Sequence, residues 1–287
     1  MHTANKALAL TLVATAGVTV AHAAASVPAP SSEYRKDELG RIVEVAGRKA
    51  TKCPKQTDRT AVLLIAGQSN SANHGGMRFS SKHPGKTVNY FAGHCYPVAS
   101  PLLGATGMRG ESWSPLADRL IESGLYDRVV IVTTGIGGTK IGRWQEGGDL
   151  NRMLLGVVSD LRGRYHATHF LWHQGERDLA LKTSSADYAA SFMSLVASLR
   201  AAKVDAPVFI SVASRCGQPG DWKDDDAITT AQRGLVDPAK GIFLGPETNL
   251  LVPPSDRYDR CHFDGPGQQA FAEAWLRILT AYAHRAR

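Results

Sequence analysis

None of the four cysteines falls in a Cys-x-x-Cys pair, so neither a zinc site nor a dithiol redox motif is favoured. There is no G-x-x-x-x-G-K-[ST] phosphate loop, and "GIGGTK" (Gly135 to Lys140) leaves G-x-G-x-x-G incomplete at Lys140. No basic run is interleaved with aromatics, which argues against a nucleic-acid partner despite a formal net charge of +7. Beyond the N-terminus no run approaches the ~20 apolar residues that a spanning helix needs. No stable membrane association is expected of the mature chain. Internal repeats are also missing.

The N-terminus reads as an export signal. Lys6 supplies the positive region, "ALALTLVATAGVTVA" (Ala7 to Ala21) the apolar core, and "AHA" (Ala21 to Ala23) the cleavage site. Residues 1–23 are therefore expected to be removed, leaving a periplasmic or extracellular protein. Cys53, Cys95, Cys216 and Cys261 suit an oxidising compartment, with two disulfides and three connectivities open. Residues 24–59, which include "ASVPAPSSEYRKDELGR", read as an extension or linker, and residues 60–287 as the main folded domain. At 287 residues, with 43% hydrophobic and 21% charged, the composition is globular.

"AVLLIAG" (Ala61 to Gly67), "RVVIVTTG" (Arg128 to Gly135), "THFLWH" (Thr168 to His173), "PVFISVA" (Pro207 to Ala213) and "GIFLG" (Gly241 to Gly245) are short continuous apolar runs. Such runs predict strands buried on both faces. Between them, Tyr188, Phe192, Leu195, Val196 and Leu199 repeat at helical spacing, with Ser184 placed as the cap. Phe271, Trp275, Ile278, Leu279 and Tyr282 form a second stripe, and "DLNRMLLGVVSDLRG" a third helix. Alternation of this kind predicts a parallel sheet with helices on both faces, and sites at the carboxyl ends of its strands. Lys86 to Trp113 interrupts it and reads as a substrate-facing loop stapled through Cys95.

By that rule Ser69, "GIGGTK", "WHQGERD" (Trp172 to Asp178) and "DRYDRCHFDG" (Asp256 to Gly265) share one rim. A serine nucleophile needs a base and a group to orient that base. Asp259 and His262, three apart, can supply both. The Ser69 N–H, a glycine N–H from "GIGGT" and the Gln174 amide could serve a developing oxyanion. Taken singly, Ser69 is also a helix N-cap, the glycines turn residues, and His262 a structural histidine. His173 and Glu176 invite a metal reading but lack a third ligand at suitable spacing.

"GQSN", "GGT", "WHQGE" and "DRCHFD", in this order, resemble the SGNH/GDSL-type hydrolases, and within them the sialate O-acetylesterase and acetylxylan esterase branch of carbohydrate esterases. The resemblance covers the chain from about Thr60 onward. It implies an α/β fold, a three-layer αβα sandwich around a five-stranded parallel sheet. It matches Ser69 to the nucleophile, His262 to the base, Asp259 to its orienting acid, and Gly137 (or Gly138) and Gln174 to the oxyanion hole. Glu176 is matched to support of the rim. Two departures stand out. "SANHGG" follows "GQSN" where relatives carry a Met-Ala-Gly type continuation, and Cys261 directly precedes His262. A Cys216–Cys261 bridge would brace the histidine loop.

The expectation is thus an exported serine esterase acting as a monomer on an O-acetylated carbohydrate, with no metal or organic cofactor. Trp113, Trp144 and Arg215 are candidates to line the sugar site. The rivals are a long-chain acyl esterase on the same fold and a non-catalytic carbohydrate-binding protein. The positive charge mildly favours an acidic glycan.

Overall fold

The computed structural model describes residues 33–218, 220, 222–223 and 225–285. The expected signal over residues 1–23 lies outside them. Strands β1 (Tyr34–Lys36) and β2 (Ile42–Val45) pair antiparallel in a ribbon of their own. The main sheet has seven strands: β3 (Thr60–Gly67), β4 (Thr87–Phe91), β5 (His94–Pro97), β6 (Arg128–Thr133), β7 (His169–His173), β8 (Val208–Val212) and β9 (Ile242–Glu247). Their order is β5-β4-β6-β3-β7-β8-β9, parallel throughout except for β5.

The five expected strands form the contiguous block β6-β3-β7-β8-β9. The chain leaves β3 for one side and later returns to the other, so a switch point opens at the carboxyl end of β3. The two additional strands come from the segment expected to be a loop. Its Thr87–Phe91 half pairs with β6, and Ala92 and Gly93, both at positive φ, close a two-residue hairpin into β5. Five strands become seven because this hairpin extends the edge.

Helices α1 (Trp113–Glu122), α2 (Asp149–Leu161), α3 (Glu176–Ala180), α4 (Ser185–Ala201), α5 (Ala227–Gly234), α6 (Thr248–Leu251) and α7 (Gly265–Arg285) complete the chain. The twofold alternation of strands divides the core. Val62, Leu64, Val130, Val132, Phe170 and Trp172 face α2, α4 and α5 through Leu154, Phe192, Leu195 and Ile228. Leu63, Ile65, Ile131 and Phe209 face α1 and α7 through Leu116, Phe271 and Trp275. Burial on both faces is why these strands carry no polar positions in alternation. The architecture is the three-layer αβα sandwich.

Residues 34–58 lie against this sandwich. Ile42 is fully buried, its N–H donates to the Ala105 carbonyl, and Cys53 is disulfide-bonded to Cys95 of β5. The N-terminal ribbon is thereby tied to the edge hairpin.

Candidate active site

At the end of β3, Gly67 takes φ +130, and a Cβ there would lie 2.0 Å from the His173 carbonyl oxygen. Glycine lets the strands stay close past the end of the ladder, where Gln68 N donates to His173 O and Ile136 N to Gly67 O. Ser69 then opens a 3-10 turn over Ser69–Ser71 whose cap residue is Gln68. Ser69 caps no helix, and its hydroxyl has no hydrogen-bond partner among the described residues.

The loop before α7 delivers the imidazole. Asp259 Oδ1 accepts the N–H groups of Cys261 and His262, and Oδ2 accepts His262 Nδ1 at 2.6 Å. Although partial burial pushes its carboxyl up, these His262 hydrogen bonds hold Asp259 below the usual carboxylate range. With Nδ1 held, Nε2 is the free end of the ring. Arg257 is buried at the hinge of this loop and donates to the carbonyls of Cys261, Arg215, Thr248 and Val252. Burial lowers its guanidinium to about 10. The Cys216–Cys261 disulfide clamps the same loop to the segment after β8.

Ser69 and His262 line one cleft of ≈ 800 Å³ together with His74, Thr106, Gly137, Gly138, Arg143 and Arg177. No direct Ser69–His262 hydrogen bond is described, and such contacts commonly tighten only when substrate binds. Asn70 bridges the two halves: its amide donates to Glu176 Oε1 at 2.9 Å and to the Cys261 carbonyl at 3.2 Å, while its oxygen accepts Phe263 N–H. Glu176 is thereby joined through Asn70 to the His262 loop. The His262 ring stacks with His74 at 5.4 Å between centroids and with Tyr258 at 5.9 Å.

Gln174 does not reach the cleft. It is fully buried, and its amide donates to the Thr139 carbonyl, to Asp178 Oδ2 and to Gln68 Oε1. These acceptors hold the amide nitrogen in the interior, and Gln174 is not among the residues lining the cleft. Instead Gln68, whose Oε1 also accepts Arg177 N–H, is the glutamine that lines the cleft. Gly137 N–H donates to Thr106 Oγ1 at 2.8 Å. For Gly138 N–H no partner is described.

The three expected sugar-site residues also lie elsewhere. Trp113 is buried between α1 and α7 against Phe271 and Trp275, its indole N–H on the Ser71 carbonyl. Trp144 is buried edge-on to Trp172 with its N–H on Thr139 Oγ1. Large aromatic surface was drawn into the core, where each N–H found an acceptor. Arg215 stacks over Trp222 beside a neighbouring pocket of ≈ 410 Å³ and donates to the Asn249 carbonyl. Gln68, Asn70, His74, Thr106 and Arg257 were not singled out by sequence; "SANH" pointed at His74 only as a departure from the pattern.

A family model described as "Carbohydrate esterase, sialic acid-specific acetylesterase" matches residues 59–277. The chain belongs to this family. It is a carboxylic ester hydrolase, a carbohydrate acetylesterase. A solved protein of Arabidopsis thaliana superposes on the esterase with TM-score 0.60 at 19% identity, covering 79% of this chain and 98% of that one. NanS gives 0.54 at 16% identity, with 79% and 98% covered. A carbohydrate acetylesterase from Xanthomonas citri gives 0.52 at 16% identity, with 78% and 57% covered. At such identities the likeness is one of fold. No curated sequence matches the esterase. Among the described residues no group of three or more His, Cys, Asp or Glu could hold a metal ion.

Proposed function

We propose that the esterase removes acetyl groups from a carbohydrate through an acyl-enzyme on Ser69. His262 takes the Ser69 proton as the hydroxyl attacks the ester carbonyl, and Asp259 stabilises the imidazolium. The oxyanion rests on the N–H groups of Ser69 and of the Gly137–Gly138 turn; Gly138 is favoured because Gly137 N–H is held by Thr106. His262 then protonates the leaving sugar alcohol, and water repeats the cycle on the acetyl-enzyme. The observation that carries this reading is the Asp259-held His262 ring on the cleft that Ser69 also lines.

The family description names sialic acid, and the exposed Arg177 on the rim has no described carboxylate partner. An O-acetylated acidic sugar is the first substrate class to test. Export is part of the proposal. It is supported by the N-terminal pattern, by two disulfides, and by the lack of any helix among the described residues long and apolar enough to cross a membrane.

The test is hydrolysis of p-nitrophenyl acetate and p-nitrophenyl octanoate by wild type and Ser69→Ala. Acetate turnover lost in the mutant, with little on octanoate, supports the reading. Turnover that survives Ser69→Ala removes Ser69 from the mechanism, and preference for octanoate moves the substrate to long acyl chains.

A further inference from the structure

Resting on that reading, we propose that His74 and Thr106 are a positioning pair for the oxyanion hole. The His74 ring accepts the Thr106 hydroxyl proton, and Thr106 Oγ1 in turn accepts the Gly137 N–H.

The sequence places these two residues thirty-two apart, and the backbone brings them together. Asn73 N donates to the Thr106 carbonyl, and the Asn73 side chain exchanges hydrogen bonds with Leu102 at 2.9 and 2.7 Å. Asn73 is buried, so these hydrogen bonds are shielded from water. The next residue, His74, has its carbonyl held by Tyr258 OH at 2.9 Å. Its ring has one face stacked with His262, and its Nε2 lies 3.2 Å from Thr106 Oγ1.

A threonine hydroxyl has one proton and two lone pairs. One lone pair takes the Gly137 N–H at 2.8 Å, leaving the proton to be placed. Its choices are His74 Nε2 at 3.2 Å or the Gly135 carbonyl at 3.5 Å, and the imidazole is nearer. His74 can accept because burial, reinforced by the neighbouring His262, keeps the ring neutral down to about pH 4. The ring also touches the turn itself: a Cβ on Gly137 would lie 2.9 Å from His74 Nε2.

The consequence is geometric. Holding Gly137 N–H fixes the peptide before it, and the following N–H, that of Gly138, has no partner among the described residues and belongs to the turn that lines the cleft with Ser69. An oxyanion donor must be oriented before charge develops, since turning it during the reaction costs what preorganisation saves. Packing alone would accept phenylalanine for His74 and valine for Thr106. The hydrogen-bonded chain would not.

The experiment measures kcat and KM on p-nitrophenyl acetate for Thr106→Val, Thr106→Ser, His74→Phe and the Thr106→Val/His74→Phe double variant, each checked by thermal unfolding. Thr106→Val and His74→Phe should each lower kcat about tenfold to a hundredfold with KM little changed. The double variant should fall no further than the worse single one, because both act through one chain of bonds. Thr106→Ser, which keeps the hydroxyl, should recover most of the turnover. Unchanged kcat in folded Thr106→Val, additive losses, or failure of Thr106→Ser to recover overturns the pair. Ser69→Ala, run alongside, separates the two ideas. If it is inactive while Thr106→Val is unchanged, only the positioning role falls; if it stays active, the catalytic reading falls first and this inference with it.

Discussion

Asn70 Nδ2 donates to the Cys261 carbonyl at 3.2 Å, so the residue after Ser69 holds the residue before His262. One buried amide thus couples the loop of Ser69 to the loop of His262, the two that the proposed acyl transfer brings together. It also satisfies Glu176 Oε1 and Phe263 N–H. Asn70→Leu keeps the volume and deletes every one of these bonds. It should destabilise the protein by about 1–3 kcal/mol for the unpaired buried groups and lower kcat more than it raises KM. Urea midpoints and steady-state kinetics on p-nitrophenyl acetate check both parts; wild-type kcat in a folded Asn70→Leu protein would sever the link.

The two disulfides should separate stability from activity. Cys216–Cys261 closes 45 residues and borders His262; Cys53–Cys95 closes 42 and ties the N-terminal ribbon to β5. Replacing either pair by serine should cost about 2–4 kcal/mol. Only the Cys216→Ser/Cys261→Ser protein should lose turnover, because only that bridge clamps the histidine loop. Thermal unfolding and kcat of the two double variants decide it.

Acid should unfold the protein through its buried histidines. Burial lowers His169 and His74 from 6.5 to about 4, and lowers His173 as well. The unfolded chain then binds more protons than the folded one as pH falls below 6.5. The stability is complete above that pH and is lost progressively as pH falls toward about 4. At full shift His169 alone contributes roughly 3 kcal/mol. The urea midpoint should drop steeply across this window, and His169→Phe should make the drop shallower. A midpoint indifferent to pH there would contradict the assignment.

Asp259→Asn should leave the loop fold intact while removing the charge that, in the proposed mechanism, stabilises the imidazolium. The Nδ1 contact at 2.6 Å would then meet a neutral amide. By comparison with serine hydrolases in general, kcat should fall by up to about 10⁴ with little change in unfolding temperature. Loss of less than tenfold would mean that His262 needs no orienting carboxylate.

Much of the catalytic reading was legible because its residues are close in sequence or end a buried strand. Asp259 and His262 share one tight loop, so their pairing needs no long-range information. Ser69 follows an eight-residue strand whose burial is written in its uninterrupted apolar run. Gln174 ends a strand just as clearly, yet its amide turned inward because Thr139 O and Asp178 offered stronger acceptors than open solvent. Sequence position gave the rim but not the direction of the side chain. Trp113 and Trp144 misled for a related reason: an indole suits a sugar face and a core equally well, and which neighbours it has is a property of packing.

The amino-acid sequence by itself determined the parallel αβα sandwich, since strands buried on both faces and amphipathic helices in alternation have few other ways to cover their apolar surface. It also determined the order of the loops along the catalytic rim. The tertiary structure decided what those loops do to one another. The Ala92–Gly93 hairpin that widens the sheet, the Asn70 bridge, the Arg257 hub and the stacking of His74 with His262 all join residues remote in the chain. Their energies exist only once the core has fixed the backbone, because a hydrogen bond or ring contact of that length has no local periodicity to announce it.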